Sequence, residues 1–387
     1  LNAGIEIRKI RKYRFSAWLS LSAKLLEFAG LFIKSERAVS ATALTTITAL
    51  QMKGFSKNDK AFRTTIIVFS LYFCFFVFTH PANMSNFLFN KPLFFEEVQL
   101  QKIDYYHWGE CTVKRFDQMH AEINGNKWFK LKYNLQEAVR REASCLVTFG
   151  GAYSNHLHAF AALSAYHNLP CIAIVRGERP PVLSSTLRFL EVRGVALFFI
   201  SRSEYADKES EEMKMWIYEK WPGAYLIPEG GSNYLGLNGA MEMVSDGDGF
   251  YDHWLVCSGT GTTAAALLIQ APDHVKVHVF GAIKGKASVE NEIRTRLRWF
   301  FHDEEAVEDC MQKCVIYDDK YFGGFGKQQP ALIEFMTELN SDMQLPTDVV
   351  YTAKMFFQMK QMKKPNEGSV LIFHTGGLQG NPEFIFD

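Results

Sequence analysis

Short apolar runs alternate along this chain with longer stretches whose apolar positions recur every three or four residues. Residues 85–110 show no long period, and Cys111-Thr-Val-Lys-Arg115 then alternates as a short strand does. A helix is predicted over 127–141, where Leu131, Leu135 and Ala138 fall on one face, and a buried-type strand over 144–149 ends at Gly150-Gly151. The alternation continues with a helix over 155–167, a strand over 171–175, a helix over 183–192 and a strand over 195–200. It goes on with a helix over 208–221, a strand over 225–228, a helix over 237–245, a strand over 254–257 and a helix over 262–270. The last clear strands are 275–280 and 370–374. Strands that alternate with helices through short loops predict an α/β fold with parallel twisted sheet flanked by helices. The number of units predicts two such lobes, with ligands beyond the carboxyl ends of the strands.

The first 83 residues do not share this pattern. Basic and apolar positions alternate over 7–37, as in a helix lying on a membrane surface. The apolar run 64–78 follows Lys57, Lys60 and Arg63 and falls short of the roughly 20 residues a spanning helix needs. Read from Met52 it has the three parts of a secretory signal, although Thr79-His-Pro-Ala-Asn83 is a poor cleavage site. Three readings stand open: upstream sequence outside the working protein, a signal or anchor, or an accessory domain. The fold expectation therefore concerns residues 84–387, and no membrane is expected for that body.

Charge sharpens the division. The chain holds 42 Lys+Arg and 42 Asp+Glu; residues 1–83 take 12 and 4 of these, which leaves 30 against 38 for the body. An acidic body argues against nucleic acid as its partner. At 48% hydrophobic over 387 residues, it can bury a sizeable core. The seven cysteines are scattered; Cys310 and Cys314, with no second pair at metal spacing, read as one helix face rather than a metal site. Such usage predicts a reduced, cytoplasmic protein.

Three stretches follow strands and carry candidate chemistry. In Asn124-Gly-Asn-Lys127-Trp-Phe-Lys130-Leu-Lys132, a lysine stands at the mouth of a helix. Enclosed there it loses hydration, its pKa falls, and it can attack a carbonyl as a Schiff-base nucleophile; otherwise it is one surface lysine beside Lys130 and Lys132. In Gly150-Gly-Ala-Tyr-Ser154-Asn155-His156, free N–H groups at a strand-to-helix junction favour a carboxylate, while Ser154 or Asn155 can equally be a plain helix cap. In Cys257-Ser-Gly-Thr260-Gly261-Thr262-Thr263, glycines and hydroxyls before a helix can cradle a phosphate dianion or make a tight capped turn. The spacing is neither that of a P-loop nor that of a dinucleotide fingerprint. Tyr351-Thr352 and His374-Thr375-Gly376-Gly377 read alone as ordinary turns.

Together these stretches, with Val113-Lys-Arg115 and Glu229-Gly-Gly-Ser232, resemble the D-cysteine desulfhydrase and 1-aminocyclopropane-1-carboxylate (ACC) deaminase family over nearly all of the body. The resemblance implies the tryptophan-synthase-beta type of fold, pyridoxal 5'-phosphate as cofactor, a small amino acid as substrate and a homodimer. It implies a smaller lobe over about 130–237 and a larger one joining 84–129 to 238–387. By the same resemblance Lys127 carries the cofactor, Asn155 partners its ring hydroxyl and Ser154 faces the substrate, at its carboxylate or elsewhere. Thr260, Gly261, Thr262 and Thr263 form the phosphate cup, and Tyr351 stands near the ring. Thr352 and Thr375 occupy cofactor-binding positions where the deaminases have glutamate and leucine and the desulfhydrases threonine. A carboxylate there would hold a proton on the pyridine nitrogen; neutral hydroxyls give a weaker electron sink, sufficient when Lys127 removes an α-proton and thiolate departs. The expected activity is elimination from D-cysteine to pyruvate, ammonia and sulfide. ACC deamination is the alternative, and a cofactor-binding protein with little turnover is another. The chain departs from the family at Phe116, where Arg-Asp-Asp is usual, and at Phe325, where Gly-Tyr-Gly is usual.

Overall fold

The computed structural model describes residues 93–282, 285–318, 322, 329–364 and 367–381, all within the unit Pro81–Asp387. The leader 1–83 with its apolar run, and Gly324-Phe325-Gly326, lie outside the described residues.

Ten described strands follow in chain order: β1 (Gln99–Asp104), β2 (Glu110–Arg115), β3 (Cys145–Gly150), β4 (Cys171–Arg176), β5 (Ala196–Ile200), β6 (Ala224–Ile227), β7 (His253–Ser258), β8 (Lys276–Gly281), β9 (Cys314–Tyr317) and β10 (Val370–His374). They form a six-stranded sheet, β1-β2-β10-β7-β8-β9, and a four-stranded sheet, β5-β4-β3-β6. The ladders are parallel except that β1 pairs antiparallel with β2. That exception follows from the connection, a tight turn in which Tyr105 N donates to Gly109 O at 2.9 Å; parallel neighbours would need a long crossover. Of β1, only Ile103 is buried, so its sequence carries no alternation to read.

The helices are α1 (Asn126–Arg140), α2 (Asn155–Ser164), α3 (Ser185–Val192), α4 (Arg202–Ala206), α5 (Glu211–Lys220), α6 (Tyr234–Met241), α7 (Thr262–Gln270), α8 (Lys286–Phe300), α9 (Glu304–Gln312), α10 (Pro330–Met343) and α11 (Thr352–Lys360). The helix expected over 208–221 is α5 at Glu211–Lys220, and the short helix α4 ahead of it was not expected. Ser201 and Glu204 close a capping box on α4, and Ser210 accepts from Met213 N to start α5. The helix expected at 237 begins at Tyr234, because Asn233 accepts from Gly236 N, and it ends at Met241. Cys310 lies on α9, but Cys314 opens β9, so the two do not share a helix face. All six described cysteines are free. Among the described residues no helix is long and apolar enough to cross a membrane.

Two features fix the frame around the strand ends. Helix α6 lies backbone to backbone on α1: a Cβ added at Gly239 would stand 1.8 Å from Phe129 O, an approach open only to glycine. At the carboxyl ends of β2 and β10, Arg115 donates to Asp117 (Nε–Oδ1 2.9 Å), and Asp117 faces His374 Nδ1 at 3.1 Å with both groups buried. Burial opposes charge on both, but the pair prevails. Asp117 holds the imidazole above its ordinary pKa, and His374 with Arg115 holds the Asp117 carboxyl well below the usual range.

Candidate active site

Lys127 occupies the second position of α1, and the entry to that helix is shaped by close approach. Gly125 has φ +67°, and a Cβ there would lie 2.0 Å from Thr375 O. Its neighbour Asn126 donates its N–H to the same carbonyl at 3.2 Å and its side-chain amide to Thr263 Oγ1 at 3.0 Å. The lysine stretch, the loop after β7 and the loop after β10 thus meet at one turn of helix. Burial pulls the Lys127 pKa down, opposed by Cys257, Asp348 and Glu229, so the neutral amine is reached at lower pH than for a solvated lysine.

The loop after β7 is a cup of hydroxyls. Thr262 Oγ1 lies 3.2 Å from Thr260 Oγ1 and 2.7 Å from Ser232 Oγ, to which Arg296 Nε donates at 3.2 Å. Gly261, at φ +78°, lets the loop rest on the backbone of α8, where a Cβ would meet Glu292 C at 2.9 Å. Gly230 packs on Thr260, and Gly231 on Lys130, one turn beyond Lys127. Lys130 is buried, and burial with Lys127 and Arg296 nearby pushes its pKa well down. The Ser258 hydroxyl at the mouth of the cup is buried with no partner. A dianion carrying several acceptor oxygens suits this set: hydroxyl donors, the Arg296 guanidinium behind Ser232 and the N-terminus of α7. The geometry fits the phosphate of pyridoxal phosphate.

The second stretch faces the same place. Asn155 is wedged against the turn after β10: a Cβ at Gly377 would lie 2.5 Å from its Nδ2 and one at Gly380 2.7 Å from its Oδ1. Ser154 caps α2 by accepting from Leu157 N at 3.2 Å, which leaves its hydroxyl proton to give. Thr148 spends its proton on Ile227 O and accepts from His156 Nε2 at 2.8 Å, so His156 is the Nε2-protonated tautomer with Nδ1 buried and unpartnered. Burial, with Lys127 and Lys130 adding to it, keeps this imidazole neutral.

Tyr351 closes the circle, its hydroxyl 3.0 Å from where a Cβ of Gly259 would stand. Thr352 donates its hydroxyl to Asp348 Oδ1 at 2.8 Å and accepts from Asp348 N at 2.7 Å. Thr375 Oγ1 lies 3.1 Å from Cys257 Sγ, whose thiol burial pushes up to about 12. All ten residues singled out in the sequence (Lys127, Ser154, Asn155, Thr260, Gly261, Thr262, Thr263, Tyr351, Thr352 and Thr375) lie in this one constellation at the carboxyl ends of β2, β3, β7 and β10.

Two members escaped the sequence reading. Asp348 is buried and accepts from the N–H groups of Val350, Tyr351 and Thr352 at 3.1, 3.0 and 2.8 Å as well as from the Thr352 hydroxyl. Burial nevertheless holds its pKa above the ordinary carboxylate value. An aspartate four residues before the start of a helix was the available signal. Lys130 reads in the sequence as a surface lysine beside Lys127, yet it and Lys132 are buried.

No protein-family model matches the chain. Among curated proteins, "Putative 1-aminocyclopropane-1-carboxylate deaminase" of Thermotoga maritima is 31% identical over 303 residues, 73% of this chain and 93% of the relative. The mitochondrial "Bifunctional D-cysteine desulfhydrase/1-aminocyclopropane-1-carboxylate deaminase" of Arabidopsis thaliana is 29% identical over 301 residues, 70% and 73% of the two chains. "D-cysteine desulfhydrase" of Yersinia pestis is 25% identical over 301 residues, 72% and 90%. Among solved structures, that of an ACC deaminase homologue matches with a TM-score of 0.60 at 20% identity, covering 78% of this chain and 96% of that one. A pyridoxal 5'-phosphate-dependent aspartate racemase matches at 0.51 and 15% identity, covering 73% and 91%.

Proposed function

The chain belongs to the family of ACC deaminases and D-cysteine desulfhydrases, pyridoxal-phosphate enzymes of the tryptophan-synthase-beta fold, and from that premise we propose a D-cysteine desulfhydrase-type lyase with Lys127 at its centre. The observation that carries it is the meeting of the Lys127 turn with the Thr263 and Thr375 loops at Asn126. Thr260, Thr262, Thr263, Ser258 and Lys130 would hold the cofactor phosphate, and Asn155 and Tyr351 its ring. The cofactor, when bound, supplies an electron sink conjugated with the substrate Cα. The free N–H groups at the start of α2 and the Ser154 hydroxyl hold the substrate carboxylate. The Lys127 amine, its pKa lowered by burial, takes the α-proton.

The choice of lyase over deaminase is favoured by how the two threonines are occupied. Thr352 gives its proton to Asp348, and Thr375 pairs with Cys257. Asp348 itself already accepts four donors. This leaves hydroxyls rather than a free carboxylate where a deaminase would protonate the pyridine nitrogen. Ring opening of a substrate without an α-proton needs the stronger sink; loss of an α-proton with thiolate as leaving group does not. ACC deamination is the second reading, favoured by the name of the Thermotoga maritima relative.

The test is to purify the protein and its Lys127→Ala variant, record visible absorption, and assay pyruvate and sulfide from D-cysteine, L-cysteine and ACC. A cofactor band near the visible region that is altered in the variant, with sulfide from D-cysteine, is the expected result. Pyruvate from ACC without sulfide from D-cysteine would replace the lyase by the deaminase. A bound cofactor with no turnover would indicate a binding protein.

A further inference from the structure

Beside the candidate site lies an open cleft of about 330 Å³ lined by Arg176, Arg202, Tyr205, Ala206, Lys208 and Glu229. Its chemistry differs from that of the surrounding body, where acidic residues outnumber basic ones 38 to 30. Three cations face a single carboxylate, and that carboxylate is already engaged: Tyr205 donates to Glu229 Oε1 at 2.8 Å, and Lys208 Nζ stands 3.5 Å from Oε2. Arg176 and Lys208 lie over the Tyr205 ring at 5.9 and 5.4 Å from its centroid. The ring and the ion pair hold these cations at the rim, and no carboxylate among the lining residues is left for Arg176 or Arg202.

Two of the residues lining the cleft border the loops of the reaction centre. An Arg176 guanidinium nitrogen lies 3.9 Å from where a Cβ of Gly151 would stand, in the loop that carries Ser154 and Asn155. On the other side, Glu229 leads directly into Gly230, which packs on Thr260 of the hydroxyl cup. The charge of Glu229 also acts on both Lys127 and Tyr351. Arg176 ends β4, Arg202 follows β5 and Glu229 follows β6, so the cations sit at the carboxyl ends of the four-stranded sheet, where a ligand in this kind of fold extends.

We infer that this cleft is an anion subsite for the distal end of the substrate, and that the enzyme acts on amino acids whose β-substituent carries a negative charge. The inference rests on the lyase reading and extends it from D-cysteine to a substrate class. The step balances without redox chemistry. The Cα–H bond breaks with its proton passing to Lys127, and the Cβ–O or Cβ–S bond breaks with its electron pair leaving on the anionic group. The Cα–Cβ double bond of 2-aminoacrylate forms, and water converts this product to pyruvate and ammonia. Cations at the rim favour the departing group as its charge increases, a gain made in the transition state.

The test uses the full chain loaded with pyridoxal phosphate, so that the hydroxyl cup is filled, and an R202A/K208A variant. Calorimetric titration with inorganic phosphate reads the cleft without turnover. Steady-state kinetics compare O-phosphoserine with β-chloroalanine, each as both enantiomers. The expected results are phosphate binding weakened at least tenfold in the variant, and a KM for O-phosphoserine raised at least tenfold more than that for β-chloroalanine. Equal effects on both substrates, or none, would overturn the substrate class even if phosphate binds, since the cleft would then take free anions only. No phosphate binding to the wild type would overturn the subsite, and this holds whether or not the variant folds. If no amino acid yields pyruvate, the lyase reading fails, while the phosphate titration still decides whether the cleft binds anions.

Discussion

Asp348 shows how a single residue can organise a site without being exposed to it. Three backbone N–H groups and one hydroxyl converge on its two oxygens, which fixes the start of α11 and with it Tyr351 and Thr352. Asparagine at this position would offer one acceptor oxygen and turn an amide N–H₂ toward donors. Leaving buried donors unmet costs about 1–3 kcal/mol apiece. Asp348→Asn should therefore lower stability by about 2–4 kcal/mol, read as an earlier urea midpoint, and should weaken retention of pyridoxal phosphate on dialysis. An unchanged midpoint would mean that the N–H groups find other acceptors. The residue was hidden in the sequence because an aspartate ahead of a helix is what any capped helix shows. Lys130 was hidden because a lysine is assigned to the surface unless something else encloses it. Lys127 was legible only through its company, a glycine turn before it and two further glycine loops downstream.

At the scale of elements, the glycines carry the sharpest expectations. Gly125 combines a positive φ with a carbonyl 2.0 Å from any Cβ, so Gly125→Ala must push α1 away from the loop after β10. The expected loss is about 3 kcal/mol or more of stability, together with loss of the visible cofactor band. Gly247→Ala, where a Cβ meets nothing within 4 Å and φ is not positive, is the control and should shift the midpoint by less than about 1 kcal/mol. Equal behaviour of the two variants in thermal melts would refute the close-approach argument. The same scale shows what patterning could and could not deliver. Strands buried on both faces, such as β3 and β7 with every residue buried, are continuous apolar runs and were predicted to within a residue or two. The edge strand β1, exposed over most of its length, and the charged helix α8 offered no such run and were missed. The five-residue helix α4 is too short to show a period of its own, and α5 begins at the Ser210 cap inside the expected stretch.

At the scale of the whole molecule, the buried Arg115–Asp117–His374 cluster ties the second strand to the last and links stability to pH. His374 has a folded pKa raised above its ordinary value, so its contribution is complete below about pH 6.5 and is lost as pH rises through the folded pKa. Asp117 has a folded pKa held below its ordinary value, so its contribution is present above about pH 4 and is lost as pH falls through the folded pKa. The thermal midpoint should peak between these limits and decline on both sides. Asp117→Asn removes the group that raises His374 and should flatten the alkaline decline; differential scanning calorimetry across pH would show an unaltered decline if the pair is unimportant.

The route of the chain through the two sheets has a consequence for how the protein is made. The four-stranded sheet is one continuous stretch, residues 145–227, whose strands pair only with one another. The other sheet places β10 between β2 and β7, so β2 waits some 255 residues for its inner partner. During synthesis on the ribosome, the first sheet can close while the second remains open along its middle. Lys127 emerges early, but the carbonyl that seats its helix belongs to Thr375. A nascent chain cut short of residue 375, by a stalled ribosome or a premature stop codon, would therefore carry its lysine complete in sequence and have nowhere to put it.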